Sequence, residues 1–354
     1  GVMLGASTIA DTDGAYQALA KAVAAGEPTE PVVAGTPRLR AMLAAGEDAV
    51  PFELLFPEVF LAGGDPSRPG GFDAVIGNPP WDALQPLAKE FYAAFDLRVL
   101  DAPTRRERGE VEKRLQTDRA VAEKFDRYTA SFEARKRLFS QIYRHINRQA
   151  GGQSSGAVMD LWQPFAERAL TLWTCQNGRV GLVLPSAFHA NQSATGLREL
   201  YLNQNHLDTC FSFENVNKLF EIDSRFKFAL VAAHHGHADD ESPVRCAFYL
   251  HDLVWLGSPA GVLEYDRDFI EQTGGEYRSL MELRTPEDAE LARAIYKNAE
   301  PLGLVWERLG IRCGEELHMS KASHLFTPIE QVLGADQDPR EPDVAKDLRE
   351  RGYL

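Results

Sequence analysis

The chain has 354 residues, 44% of them hydrophobic and 25% charged, with a formal net charge of -14 at pH 7. This is the composition of an ordinary soluble globular protein, long enough for two domains or one large one. No stretch approaches the roughly 18 consecutive apolar residues of a membrane helix, and GVMLGASTIADTDG at the N-terminus lacks the basic start of a signal peptide, so a cytoplasmic protein is expected. Cys175, Cys210, Cys246 and Cys313 form no CxxC pair, which argues against a zinc knuckle or a disulfide framework and for reduced, buried thiols.

Residues 1–50 carry two helical patterns, DGAYQALAKAVAAG and TPRLRAMLAAG, joined by the linker-like EPTEPVVAGTP, and read as a peripheral segment. The Pro-punctuated PFELLFPEVFLAGGDPSRPGG then leads into FDAVIG, a continuous apolar run of the kind found in buried parallel strands. Asn78, Pro79, Pro80 and Trp81 follow that strand directly. From about residue 83 to 156 the pattern is helical and charged, an insertion that closes in the flexible-looking GGQSSG. Between Arg98 and Arg148 it holds 14 Lys and Arg against 8 Asp and Glu, a local excess of positive charge in an acidic chain. Such a run is ordinarily a solvated helical face laced with i,i+4 ion pairs. It is also where an acidic protein would keep phosphate contacts, with Arg135, Lys136 and Arg137 the densest cluster.

Next come the helical DLWQPFAERALTLW, the strand VGLVLPSAF, the helix TGLRELYLNQ, the strand LDTCFSFE, the loop NVNKLFEIDSRF and the strand FKFALVAAH. In that last strand Phe226, Phe228 and Leu230 alternate as core positions, and Lys227 on the opposite face is a solvated lysine or a phosphate contact. Alternating strands and helices predict a mostly parallel, doubly wound α/β sheet. Beyond residue 236, VRCAFYLHDLVWL is strand-like, and TPEDAELARAIYKNAEPL is a helix with Thr285 as its cap and Pro286 in its first turn. His318 and His324 read as loop or surface histidines, and DQDPREPDVAKDLRERG reads as a charged, mobile stretch.

The chemistry sits at Asn78–Trp81. An amino group conjugated into an adenine ring is a poor nucleophile, because its lone pair is delocalised into the ring. Two acceptors aimed at its two N–H bonds draw that pair back onto nitrogen. Asn78 offers a side-chain carbonyl and Pro79 a backbone carbonyl, while Pro79 and Pro80, with φ near -65°, stiffen the turn that holds both. Trp81 adds a face on which an extruded base can stack. The plainer reading is a strand-ending turn, since Asn-Pro and Pro-Pro are common turn signals. A tetrapeptide this restricted recurs by chance in roughly one in a few hundred chains of this size, and this one stands where open α/β sheets place their chemistry. HHGH at 234–237 lies at a strand exit without carboxylate companions, so no metal site is expected there.

GFDAVIGNPPW resembles the catalytic motif of the amino-methyltransferases that use S-adenosylmethionine, in particular the adenine-N6 DNA methyltransferases whose catalytic region precedes the target-recognition region. DLWQPFAERALTLW, NGRVGLVLPSAF and FENVNKLFEIDSRFKFALV look like the blocks that follow that motif in the family, in the same order. FPEVF, the helical insertion and EELHMSKASHLF look like the large Eco57I-type methylases of restriction and of BREX or DISARM phage defence, and the likeness runs over roughly residues 50–330. The resemblance implies a Rossmann-like class I methyltransferase sheet acting on double-stranded DNA, with other subunits of a defence system as candidate partners. It implies Asn78, Pro79 and Pro80 as the catalytic turn, Trp81 and Phe220 against the flipped base, and Phe165 against the adenine of S-adenosylmethionine.

It further implies a Gly-rich cofactor turn upstream of the motif. GVMLGAS and VVAGTP are the nearest stretches, and both read as loops. The expectation is therefore a C-terminal part of a catalytic domain, at about 51–236 with the insertion at 83–156. The first cofactor-half strands would be missing, and residues 237–354 would begin a target-recognition region. Two alternatives carry the same residues: methylation of an RNA base or a protein glutamine amide, and a non-catalytic DNA-binding or scaffold subunit. No acidic-lysine nuclease constellation is evident.

Overall fold

A computed structural model describes residues 13–45, 52–60, 70–148, 158–236, 241–306, 308–311 and 341–352, with the single positions 325, 327, 332 and 333. GVMLGAS, GGQSSG, His237, Cys313, His318, His324 and all of EELHMSKASHLF but Leu325 lie outside the described residues. The chain divides into two compact units, Gly1–Tyr296 and Lys297–Leu354.

The first unit is a mixed α/β structure around a six-stranded sheet. Its strands are β1 (Phe72–Gly77), β2 (Thr174–Pro185), β3 (His206–Glu214), β4 (Lys227–His234), β5 (Val244–Leu250) and β6 (Leu263–Tyr265). They lie in the order β1-β2-β4-β3-β5-β6. Only β1 with β2 and β3 with β5 pair in parallel; β4 is antiparallel to both neighbours and β6 to β5. The sheet is thus mixed, not mostly parallel as the alternation suggested, and the cause is local. A parallel return needs a crossover, usually a helix, whereas the connection from β3 to β4 carries only a 3-10 turn at Asn215–Asn217. The chain folds straight back, and β4 slots between β2 and β3.

The N-terminal helices are α1 (Asp13–Ala24), α2 (Thr29–Gly35) and α3 (Pro37–Ala45), so the linker-like TEPVVAG, VVAG included, is itself helical. In the insertion, α4 (Arg105–Gln116) and α5 (Arg119–Ile142) start at Thr104 and Asp118, whose side chains accept from the N–H groups of Glu107 and Ala120. Helices α6 (Trp162–Arg168) and α7 (Thr195–Glu199) each run on into a π turn and cover one face of the sheet. With α8 (Arg267–Gly274) they bury Trp162, Leu170, Leu197, Tyr201 and Phe269 against Val180, Leu182, Leu184, Ala229, Val231 and Ala233. Helix α9 (Pro286–Asn298) opens with a reciprocal cap, since Thr285 and Asp288 exchange side-chain to backbone hydrogen bonds of 3.1 Å each. In the second unit the stretch expected to be mobile contains a helix, α10 (Pro342–Glu350). VRCAFYLHDLVWL is strand only as far as Leu250, because Asp252 accepts from the Val254 N–H at 2.8 Å and starts a 3-10 turn.

Two strands depart from expectation. β1 is an edge strand among the described residues, and Ile76 is 84% exposed. On the face away from the helices, Ile76, Gly77, Gly181, Val183, Thr209, Leu230 and Ala232 line an open trough of about 320 Å³. In β4 the helix-facing positions are Ala229, Val231 and Ala233, while Phe228 joins a second cluster with Phe211 and Phe213 on the other side. Leu230 is half-buried beside it, and Phe226 precedes the strand and is 53% exposed. None of the helices among the described residues is long and apolar enough to cross a membrane.

Candidate active site

Asn78–Trp81 leave the C-terminal end of β1, the end where a sheet of this kind delivers loop residues to a ligand. Strand pairing cannot continue through Pro79 and Pro80, which lack N–H donors, so the chain turns over the sheet edge. Pro79 is buried and anchors the turn, whereas Asn78 is exposed, with its amide unpartnered among the described residues. The Trp81 ring is half-buried between the two apolar clusters, and its Nε1 donates to the Val183 carbonyl at 3.4 Å. The indole is thereby tied to the end of β2.

Asn78, Pro79, Pro80, Trp81 and Asp82 form one side of a cavity of about 500 Å³; Phe220, Ile222 and Phe226, from the loop between β3 and β4, form the other. Phe220 stands edge-on against Phe228, with centroids 4.8 Å apart at 76°, and Phe228 stacks on Phe213 at 5.3 Å and 8°. This rigid aromatic column supports the wall facing Trp81. A planar ring system fits such a site: it is mostly apolar, three aromatic side chains line it, and an exposed amide stands at its edge.

A charged network lies at the same end of the sheet. Lys227 bonds to Glu214 at 3.0 Å and Glu282 at 3.2 Å and lies over the Tyr249 ring at 4.9 Å, so its charge is already engaged by two carboxylates although its side chain stays 34% exposed. His189 is fully buried and donates from Nε2 to Glu282 at 3.0 Å. That hydrogen bond, helped by the nearby charge of Lys227, pulls the Glu282 carboxyl down to about 2.

The other expected residues lie elsewhere. Phe165 is outside the cavity, 41% exposed on α6, with its ring edge-on to Trp173 at 5.8 Å. Arg135, Lys136 and Arg137 lie on α5: Lys136 pairs with Glu133 at 2.9 Å, Arg135 sits over Phe132 at 5.5 Å, and Arg137 is exposed. His234 donates to Asp208 at 2.7 Å and His235 to the Thr174 carbonyl at 2.7 Å. Among the described residues no group of three or more His, Cys, Asp or Glu is gathered to hold a metal. Cys210 and Cys246 are buried thiols, raised by desolvation, and Cys175 is half-buried.

S-adenosylmethionine needs partners for its ribose hydroxyls and its charged amino-acid end. The trough beside β1 is lined by apolar residues, Thr209 aside, and does not supply those partners, and Phe165 does not line the cavity that carries Asn78 and Asp82.

Two structural residues escaped the sequence reading. Glu167, buried in α6, accepts from the N–H groups of Arg144, His145 and Ile146 at 2.7, 2.8 and 3.1 Å and holds the base of the insertion to the core. Asn215, fully buried at the exit of β3, organises the loop that carries Phe220. A glutamate one turn from Gln163 in a helix that also carries Trp162, Phe165 and Ala166, and an asparagine at a strand exit, were the available signals.

The family model for the Eco57I restriction-modification methylase matches residues 128–220, about a quarter of the chain. The match starts after Asn78–Trp81 and ends at Phe220. It supports a restriction-modification methylase family. No curated protein matches the chain. A solved chain described under the structural basis of complex assembly and conformational transition of the type I R-M system is similar at 13% identity and a TM-score of 0.25, over 89% of this chain and 66% of that one.

Proposed function

We propose that this chain is the catalytic region of a restriction-modification DNA methyltransferase that transfers a methyl group from S-adenosylmethionine to the N6 amino group of adenine in double-stranded DNA. The observation that carries this reading is the cavity of about 500 Å³ between Asn78–Trp81 and Phe220. Within it, this chain's part is on the acceptor side. An adenine turned out of the duplex lies between Trp81 and Phe220, and its amino hydrogens meet the Asn78 side-chain oxygen and the Pro79 carbonyl. Acceptance of both N–H bonds favours a pyramidal nitrogen whose lone pair points out of the ring plane, and it stabilises the positive charge that nitrogen gains as it is alkylated. Pro79 and Pro80 lower the cost of holding the two oxygens in place, because the turn has little freedom to lose.

In this reading residues 51–236 are the catalytic region, the insertion at 83–156 contributes phosphate contacts, and residues 237–354 lead into target recognition. Other subunits of a defence system are its natural partners. The test is methyl transfer from labelled S-adenosylmethionine by the protein purified with any subunits that accompany it, offered duplex DNA, RNA and protein. The expected product is N6-methyladenine in duplex DNA. Label confined to RNA or to glutamine amides would move the reading to another acceptor, and absence of label in all three would refute it.

A further inference from the structure

The wall opposite Asn78–Trp81 belongs to a loop, and loops hold aromatic side chains at a site only when something fixes their backbone. Here one buried side chain does so. Asn215 uses every polar group it has within the loop. Its backbone N–H donates to the Phe226 carbonyl at 3.0 Å, and its carbonyl accepts from the Lys218 N–H at 3.0 Å. Its side-chain Oδ1 accepts from the Phe220 N–H at 2.9 Å, and Nδ2 donates to the carbonyls of Phe220 at 3.0 Å and Ile222 at 3.1 Å. Three of these partners, Phe220, Ile222 and Phe226, face the turn at Asn78–Trp81 across the cavity.

The rest of the loop conforms to this hub. Lys218 takes a left-handed φ of 51°, which lets the chain reverse toward Phe220. The Phe226 N–H bonds to the Asp223 carbonyl at 3.1 Å, and the Asp223 carboxylate receives the Arg225 N–H at 2.9 Å. Phe226 and Ile222 nonetheless stay 53% and 40% exposed, apolar side chains left open at the cavity mouth.

We infer that Asn215 is the positioning residue of this cavity: it presets the loop so that Phe220, Ile222 and Phe226 form a fixed apolar wall against a planar aromatic ring held on Trp81. Phe226 is thereby a ring-contacting residue alongside Phe220. The inference rests on the reading that the cavity takes a base. An amide suits the role because the hub needs an acceptor for one N–H and donors for two carbonyls at one point, which neither a carboxylate nor a hydroxyl supplies.

Two measurements on the full chain test it. Trypsin cleavage after Lys218 and Arg225, mapped by mass spectrometry, reports the loop without any ligand. Quenching of 2-aminopurine 2′-deoxyriboside fluorescence reports stacking of a base analogue in the cavity. Asn215→Ala and Asn215→Asp are expected to speed cleavage at both sites and to weaken nucleoside binding, each by about tenfold. Acidification to about pH 5 should restore part of the binding to Asn215→Asp, whose protonated carboxyl regains a donor, and a residue that only stabilised the fold would show no such recovery. Phe226→Leu should weaken binding while leaving the cleavage rates as in the wild type. Wild-type rates and affinities in both Asn215 variants would overturn the inference. A wild type that leaves the probe unquenched would instead refute base binding, and the cleavage rates alone would then judge whether Asn215 fixes the loop.

Discussion

At the scale of single residues, Asn78 stands apart because its exposed amide has no partner among the described residues. A buried asparagine such as Asn215 is committed to its neighbours, whereas an exposed one on a proline-stiffened turn at a cavity edge is available to a ligand. Asn78→Ala should therefore leave stability within about 0.5 kcal/mol of wild type. Methyl transfer should fall by about 10²–10³-fold, the usual effect of removing one preorganised group that stabilises developing charge. Urea unfolding and labelled-methyl transfer measure the two effects, and a large loss of stability with activity intact would invert the assignment. This residue was legible in the sequence because the motif is contiguous: strand, amide, two prolines and an aromatic ring stand side by side. Phe226 was misread as core because a period of two was extended one step beyond the start of the strand.

At the scale of elements, the insertion depends on its seam with α6. Glu167 takes three backbone N–H groups, which lose this acceptor if it is removed. Glu167→Ala should cost about 2–4 kcal/mol in denaturant unfolding, from orphaned donors and lost charge-assisted hydrogen bonds. Gly196 closes the same seam, where a Cβ would meet the His145 carbonyl oxygen at 2.5 Å. The basic helix allows a sharper expectation than the sequence did. Successive residues on α5 are turned by about 100°, so Arg135 and Arg137 point to nearly opposite sides, and Lys136 already holds Glu133. Replacing Arg135, Lys136 and Arg137 by Ala should reduce the salt dependence of duplex binding by about one or two phosphate contacts, not three. An unchanged slope of log affinity against log salt would remove this helix from the DNA surface. Caps at Thr285 and helices with clear periodicity could be read directly, because those interactions are local. The direction of β4 could not, because it depends on where a loop without a helix sends the chain.

At the scale of the whole molecule, the network around Lys227 ties the ends of β3 and β4 to the segment carrying Glu282 and sets an acid limit on stability. The folded-state value of Glu282, about 2, lies below its ordinary 4.5, so the folded protein binds fewer protons than the unfolded chain between those values. Its contribution is complete above pH 4.5 and is lost as the pH falls toward 2. After allowance for solvent screening it amounts to about 1–2 kcal/mol. Urea midpoints for wild type and Glu282→Gln should differ at pH 7 and converge toward pH 2.5, and parallel curves would show that the network is not coupled to pH.

The sequence by itself determined the α/β class, the turn at Asn78–Trp81 directly after a strand and the charged helices that follow it, since each is encoded in contiguous residues and their period. Only the tertiary structure decided that β4 enters the sheet antiparallel, that Ile76 faces outward on an edge strand, and that Phe226 shares a cavity with Asn78. Those outcomes depend on which distant segments meet, and pairing free energies between remote residues leave no periodic trace along the chain.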